Sequence, residues 1–114
     1  MARIKKTPFP PWQTKKPDGI EKRFVRLGNS LLLDTACMEL SGNAFRLYIY
    51  MLLESGGKQA FEMPQRKYIK LMTKPTFIKT RDELIKKGFV EVAQNNANLR
   101  KANIYRFSDR WKGT

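Results

Sequence analysis

The sequence of 114 residues contains no histidine and a single cysteine, Cys37. Without histidine the chain lacks the side chain that titrates nearest neutral pH, and it lacks the commonest zinc ligand. One cysteine cannot close an internal disulfide, and Cys37 lies in an apolar stretch that is typical of a small buried side chain. We therefore expect a protein that is not an enzyme and that uses no metal, no cofactor and no small-molecule substrate.

The chain also lacks long apolar runs and has few acidic residues. No stretch approaches ~18 consecutive apolar residues, and the first 20 residues mix lysine with proline, so we expect neither a membrane span nor a signal peptide. A soluble, cytoplasmic protein is the expectation. The 23 Lys and Arg residues outnumber the 10 Asp and Glu residues, which gives a net charge of +13. Such an excess favours a polyanionic partner, above all nucleic acid.

The positive charge is concentrated in particular parts of the chain. Residues 64–88 carry a net charge of +6 and residues 1–23 carry +5, whereas residues 24–63 sum to −1. The remaining residues, 89–114, carry +3. A generally basic surface that only keeps the protein in solution is the alternative interpretation. The uneven distribution favours a basic binding face instead.

Composition divides the chain into an arm, residues 1–19, and one domain, residues 20–114. The arm holds four of the six prolines and has no apolar periodicity, which predicts an extended or disordered segment. Its Phe9 and Trp12 could dock on the domain, on a second copy of the chain, or against nucleic-acid bases. Docking on protein is the favoured alternative, because large aromatic side chains usually bury where apolar surface is available.

Local patterns predict the elements of the first half of the domain. Residues 24–27 are β-branched and aromatic and predict a short strand. Asp34 is placed to cap one or two helical turns that end near Leu40. Ser41 can cap a long helix whose apolar positions follow helical spacing up to Gly56, which is typical of the central core helix. Residues 60–63 predict a short edge strand.

The second half of the domain predicts a helix-turn-helix unit followed by a hairpin. Pro64 suits the first turn of a short helix from Gln65, and Thr73 is a candidate N-cap for a second helix over residues 75–87. Residues 89–93 and 103–107 alternate as strands around a polar, asparagine-rich tip, and Trp111 is expected to close the core. The predicted fold class is α+β, in the winged helix-turn-helix arrangement.

The run from Thr76 to Val90 resembles the recognition helix and first wing strand of GntR-type and MarR-type regulators. Leu40-Ser41-x-x-Ala44 and Asn103-x-Tyr105-Arg106-Phe107 are similar to segments in winged-helix proteins of phage, plasmid and conjugative-element replication modules. The resemblance covers residues 24–112. It implies a small bacterial DNA-binding protein of a mobile genetic element, acting in transcription regulation or as a DNA replication accessory factor.

Helical spacing separates an inner and an outer face of the second helix. Phe77, Thr80 and Leu84, together with Ile85, would pack on the long helix and leave the opposite face free. Arg81 stands where the related families have an apolar residue, so its side chain is expected to lie along the domain. Asp82 would repel phosphate unless it accepts from a cytosine or pairs with a nearby lysine.

The predicted DNA contacts fall on the helix-turn-helix unit, the hairpin tip and the arm. Hydroxyl groups and lysines at a helix start can hold phosphates or reach base edges in the major groove. Cations before this helix or at the hairpin tip would contact the phosphate backbone, and the arm would enter the minor groove. The predicted contact residues are Arg66, Lys67, Lys70, Thr73, Lys74, Thr76, Ile78, Lys79, Arg100 and Lys101, with Arg3, Lys5 and Lys6 in the arm.

Double-stranded DNA is thus the expected partner, bound by a protein that could be a homodimer, because a single domain covers only a short half-site. Two alternatives from other classes use the same features. The basic surface could bind structured RNA in a ribosome-associated module, through the wing and the arm. The apolar arm could bind a protein partner in a replisome, with the positive charge only assisting encounter.

Overall fold

Over residues 8–113, three α-helices precede the first strand, and all three strands lie in the second half of the chain. The structure is a computed structural model, and it describes residues 8–113. The helices are α1 (Asn29–Leu32), α2 (Thr35–Met38), α3 (Gly42–Ser55), α4 (Gln65–Tyr68) and α5 (Lys74–Lys86), and the strands are β1 (Ala60–Glu62), β2 (Val90–Gln94) and β3 (Ile104–Phe107). The α+β prediction is confirmed.

The helix α3 lies at the centre of the core. Its first turn is capped by Ser41, whose Oγ accepts a hydrogen bond from the Ala44 backbone N–H at 3.1 Å. It ends at Gly56, which adopts the left-handed conformation with φ 61° that glycine reaches without steric cost. Leu47 and Met51 are fully buried on its inner face. The predicted cap, periodicity and end of this helix are all confirmed.

The three strands form one antiparallel sheet in the order β1, β3, β2. As predicted, β1 is an edge strand, and β2 and β3 form a hairpin. Phe61 and Tyr105 lie side by side and are buried against the core, Val92 beside Tyr105 is 40% exposed, and Arg106 and Glu91 pair on the opposite face. The sheet therefore covers one side of α3 and exposes a polar back.

Aromatic rings join the sheet to α3. Tyr48 meets Phe89 and Phe107 edge to face, with ring centroids 5.3 and 5.8 Å apart. Trp111 lies parallel to the Phe89 ring at 5.6 Å. The residue before Phe89 must be glycine, because Gly88 has φ 85° and a Cβ there would lie 3.0 Å from the Trp111 backbone nitrogen. The prediction that Trp111 closes the core is confirmed.

The short helices α1 and α2 cover one end of the core. The Asp34 carboxylate accepts from the Ala36 backbone N–H at 2.9 Å and caps α2, as its position predicted. Cys37 is buried, and burial, with a smaller contribution from Asp34, raises the pKa of its thiol. The thiol therefore stays protonated at neutral pH, which suits a packing role.

Two predictions about local conformation are wrong. Residues 24–27 form no strand and pair with none of the three strands; Phe24 instead packs edge-on against Phe9 at 5.3 Å. Residues 8–19 are not extended, because the Phe9 backbone N–H donates to the Gly19 carbonyl at 2.7 Å and closes them into a loop. The helices α3 and α5 and the three strands lie within about one residue of their predicted bounds. In contrast, α2 and α4 are shorter than predicted, and α1 was not predicted as a separate helix. Over residues 8–113, no helix has the length and apolar character needed to cross a membrane.

Candidate nucleic-acid interface

The angle between α4 and α5 is set by one aromatic stack. The rings of Tyr68 and Phe77 lie parallel, with centroids 3.8 Å apart, and both side chains are buried. The Tyr50 hydroxyl donates to the Lys67 carbonyl at 3.0 Å and attaches α4 to the central helix α3. Pro64 is the N-cap residue of α4 and not part of its first turn, one position earlier than predicted. These contacts join α4 to both α5 and α3.

The first turn of α5 carries hydroxyl groups. Thr73 is the N-cap residue, as predicted, but its side chain does not cap a backbone N–H. Its hydroxyl instead bonds the Thr76 hydroxyl at 3.1 Å, while Pro75 occupies the first turn. The backbone donors of this turn therefore stay free of side-chain caps, and such donors favour anions.

The two faces of α5 agree with the predicted helical pattern. Phe77, Thr80 and Leu84 are buried, and the Thr80 hydroxyl is satisfied by the Thr76 carbonyl at 2.6 Å. Lys74, Ile78, Lys79 and Asp82 are exposed on the opposite face, which extends for about 20 Å along this 13-residue helix. Thr76 is half-buried between the two faces.

Arg81 lies along the domain, as its position in the pattern predicted. Its guanidinium carbon is 5.9 Å from the centre of the Phe77 ring, and Nη1 donates to the Tyr105 hydroxyl at 3.4 Å. Its Nη2 also lies 3.1 Å from an Asp82 carboxylate oxygen. The charge of Asp82 is thereby offset by Arg81, and not by a nearby lysine, which was one of the two alternatives for this carboxylate.

Glu83 completes the N-terminal cap of α3 from across the domain. Its carboxylate accepts from the backbone N–H and the hydroxyl of Ser41, at 2.9 and 2.8 Å. A capping box would place such a carboxylate three residues after Ser41, but Ala44 stands there. Burial alone would raise the pKa of Glu83, but these hydrogen bonds and Lys87 outweigh it and hold the pKa below its usual value.

This arrangement predicts a pH-dependent stability. Glu83→Gln removes the charge and should lower the free energy of unfolding by about 1 kcal/mol at pH 7. Because the pKa of Glu83 is lowered on folding, its contribution is complete above its usual pKa of 4.5 and is lost as the pH falls through the folded value. Urea unfolding at pH 7 and pH 3 measures both effects. The exposed Glu62→Gln is the control, and an equal difference at both pH values would contradict the capping role.

Most cations of residues 64–88 form no ion pair with a described residue, whereas both acids of the segment are engaged. Both carboxylates of this segment, Asp82 and Glu83, are engaged by Arg81, Ser41 and Lys87. Several exposed cations, in contrast, have no ion-pair partner within the described part of the chain. They are Arg66, Lys70, Lys74, Lys79 and Lys86.

Burial raises the pKa of the Glu54 carboxyl, but the side chains of Tyr50 and Arg23 lower it below its usual value. The remaining lysine of the short helix, Lys67, is half-buried and adds a smaller lowering effect. Thr76 and Lys79 share a cleft of about 240 Å³ with Ser41 and Asn43 at the start of α3. The structure thus brings these two predicted site residues together.

The hairpin tip, residues 95–103, is an ordered loop. Asn96 is buried, and its side-chain amide donates to the Ala102 carbonyl at 3.0 Å. Its backbone N–H donates to Asn103 Oδ1 at 2.8 Å. The backbone of Arg100 is left-handed, with φ 53°, and both Arg100 and Lys101 are exposed. Asn96 therefore anchors the loop, and Arg100, not one of the asparagines, takes the left-handed conformation.

The hydrogen bonds that organise the tip run between residues 96 and 103, so they do not bring Arg100 or Lys101 onto α5. The predicted arm residues Arg3, Lys5 and Lys6 lie outside the described residues.

Sequence reasoning missed Lys86, which is exposed seven residues after Lys79. Two turns of helical spacing place both lysines on one face, so the same periodicity could have found it.

Comparison with protein-family models, with curated proteins and with solved structures found no match to the chain. Within residues 8–113, no three acidic or cysteine side chains come together as metal ligands.

Proposed function

We propose that the protein binds double-stranded DNA, with α5 in the major groove and the hairpin as a wing beside it. The element order α3, β1, α4, α5, β2 and β3 agrees with the winged helix-turn-helix arrangement that the sequence predicts, and this supports the proposal. An α-helix fits the major groove, which is ~12 Å wide. The proposal is for binding alone, without a catalytic step.

The observation that carries the proposal is the unpaired charge on the outer face of the helix-turn-helix unit. Folding pairs both acids of residues 64–88 with internal partners and leaves Lys74 and Lys79 exposed and unpaired on α5. A general solubilising surface would gain nothing from such segregation, since mixed charges serve solubility as well. Each lysine that contacts a DNA phosphate instead releases condensed counterions, which favours binding.

The position of Lys74 adds a second argument. It is the first residue of α5, where the helix dipole is positive and a cation costs about 0.3–1 kcal/mol. Local helix stability would favour an acid there, yet the first turn contains none. A cation at this cost to the fold is explained by a negatively charged partner in front of the helix.

Duplex DNA, and not structured RNA, is the proposed partner because the exposed face of α5 needs a groove that admits a helix. The deep, narrow major groove of duplex RNA excludes one.

Self-association stays a prediction. Leu33 and Met38 are each 64% exposed and lie on the nearly neutral part of the chain, where two copies could meet without strong repulsion.

Fluorescence anisotropy with three labelled ligands of equal length tests the proposal. We expect duplex DNA to bind more tightly than single-stranded DNA and structured RNA. The duplex affinity should fall steeply between about 50 and 200 mM salt, because binding releases counterions from the DNA and this release is less favourable at higher salt. Tighter binding of structured RNA, or weak binding of all three with a flat salt dependence, would contradict it.

A further inference from the structure

The segment before the domain forms a closed loop, residues 9–19, with a defined shape. Its two ends are joined by a hydrogen bond from the Phe9 backbone N–H to the Gly19 carbonyl at 2.7 Å. The Gly19 N–H donates in turn to the Lys16 carbonyl at 3.0 Å. Gly19 has φ 73°, and a Cβ there would lie 3.0 Å from the Phe9 carbonyl oxygen. Only glycine permits this closure without strain, so the loop is a specified structure.

Side chains attach the loop to the domain. The Thr14 hydroxyl bonds the Glu21 carboxylate, and the Asp18 carboxylate accepts from the Ile20 backbone N–H at 3.0 Å. The Phe9 ring packs on Phe24, and Arg23 pairs with Glu54 of α3 just after the loop. The loop is therefore presented from a fixed base.

The two aromatic residues of the loop have opposite environments. Phe9 is half-buried against Phe24, whereas Trp12 is 82% exposed and contacts no other ring of the described residues. Trp12 lies in a tight turn, Pro11–Gln13, that follows two prolines and has little conformational freedom. The exposed indole has a flat apolar surface available to a partner, and the backbone that carries it needs little further ordering on binding.

The charges around Trp12 indicate what that partner is. Lys15 and Lys16 are exposed, pair with no described carboxylate, and line a cleft of about 220 Å³ within the loop. The nearby acids, Asp18 and Glu21, already accept hydrogen bonds. A second copy of the chain, with its own net charge of +13, would meet these lysines with like charge. A nucleobase between two phosphates offers a flat ring and negative charge together.

We propose that loop 9–19 binds single-stranded nucleic acid, with one unpaired base stacked on Trp12 and the adjacent phosphates contacted by Lys15 and Lys16. Bases within a duplex are already stacked on each other, so only an unpaired base offers its face. This site is separate from the exposed face of α5, and each of the two proposals can fail without the other.

The test compares an oligothymidylate of about 12 nucleotides with an abasic strand of the same length, which keeps the phosphates and lacks the bases. Trp12→Ala should weaken oligothymidylate binding by about 5- to 100-fold, the range that loss of one stacked base corresponds to. Gln13→Ala, at an exposed neighbouring position, should leave the affinity within about twofold. A matched oligouridylate shows whether the site prefers the DNA or the RNA strand, and either preference supports it.

Three controls make the outcome decisive. The wild-type protein should bind the abasic strand more weakly than oligothymidylate. Trp12→Ala should bind the abasic strand and duplex DNA as tightly as the wild type does. Unchanged oligothymidylate affinity in Trp12→Ala, or equal binding of the abasic strand by the wild type, would overturn the stacking site. A concentration-dependent change of tryptophan emission without any oligonucleotide, present in the wild type and absent from Trp12→Ala, would overturn it too, since a second copy would then cover the indole.

Discussion

Replacing Lys74 and Lys79 together by glutamate should weaken duplex binding by about 100-fold or more at moderate salt, because two groove contacts are lost and two repulsions are added. The salt dependence should also become shallower, by about one phosphate contact for each lysine. Fluorescence anisotropy measures both. The fold should survive, because both side chains are exposed and unpaired and an acid at position 74 favours the helix dipole.

A matched variant separates position from charge. Arg26→Glu with Lys58→Glu makes the same change in net charge, from +13 to +9, at two exposed cations that line a depression beside Phe24. Only long-range attraction should be lost there, so we expect a much smaller decrease in affinity. If the two double variants lose affinity equally, the protein binds through general charge, and α5 is not the contact element.

The second large effect concerns the stability that holds α5 in place. Phe77→Ala should lower the free energy of unfolding by about 3–5 kcal/mol, the usual cost of removing a buried aromatic ring. Phe77 is 4% exposed, stacks on Tyr68 at 3.8 Å, and has the Arg81 guanidinium over its ring. Urea denaturation followed by circular dichroism measures this loss, which is a large part of the stability of a small domain.

The adjacent residue provides the control for that change. Ile78 is exposed on the opposite face of the same helix, so Ile78→Ala should change the free energy of unfolding by less than about 0.5 kcal/mol. A small effect of Phe77→Ala would mean that α5 does not depend on the stack with α4. The two variants together therefore test which face of the helix packs inward.

The sequence contained enough information for the elements that are determined locally. Helical spacing identified the inner face of α3 and the buried residues Phe77 and Leu84, and capping residues located both ends of α3. Alternation identified β2 and β3, because a sheet with one buried face imposes that period. These features depend on neighbours within a few residues, and a sequence pattern records them directly.

Features that depend on distant partners were less accessible. Residues 24–27 have the composition of a strand, but whether a strand forms depends on a free sheet edge at the right place, and Phe24 packs on Phe9 instead. The cap on Ser41 comes from Glu83, 42 residues away. The closure of loop 9–19 through Gly19 likewise joins residues whose proximity no local pattern reveals.

The candidate site was predictable in part for the same reason. Lys74, Ile78 and Lys79 were placed outward by periodicity, and Arg81 was expected to lie along the domain. Which cations remain unpaired could not be predicted, because it depends on where carboxylates from other elements lie after folding. The rigid tip built on Asn96 also required the folded hairpin.

Chemical-shift mapping of the nitrogen-labelled 13.3 kDa protein, titrated with duplex DNA, is the most direct test of the central claim that α5 contacts the duplex. We predict the largest amide shifts along α5 from Thr73 to Asp82, with further shifts at Arg100 and Lys101. The sheet back around Glu91 and Arg106 should remain unaffected. Shifts confined to that back face or to α1 and α2, with α5 unchanged, would contradict the account.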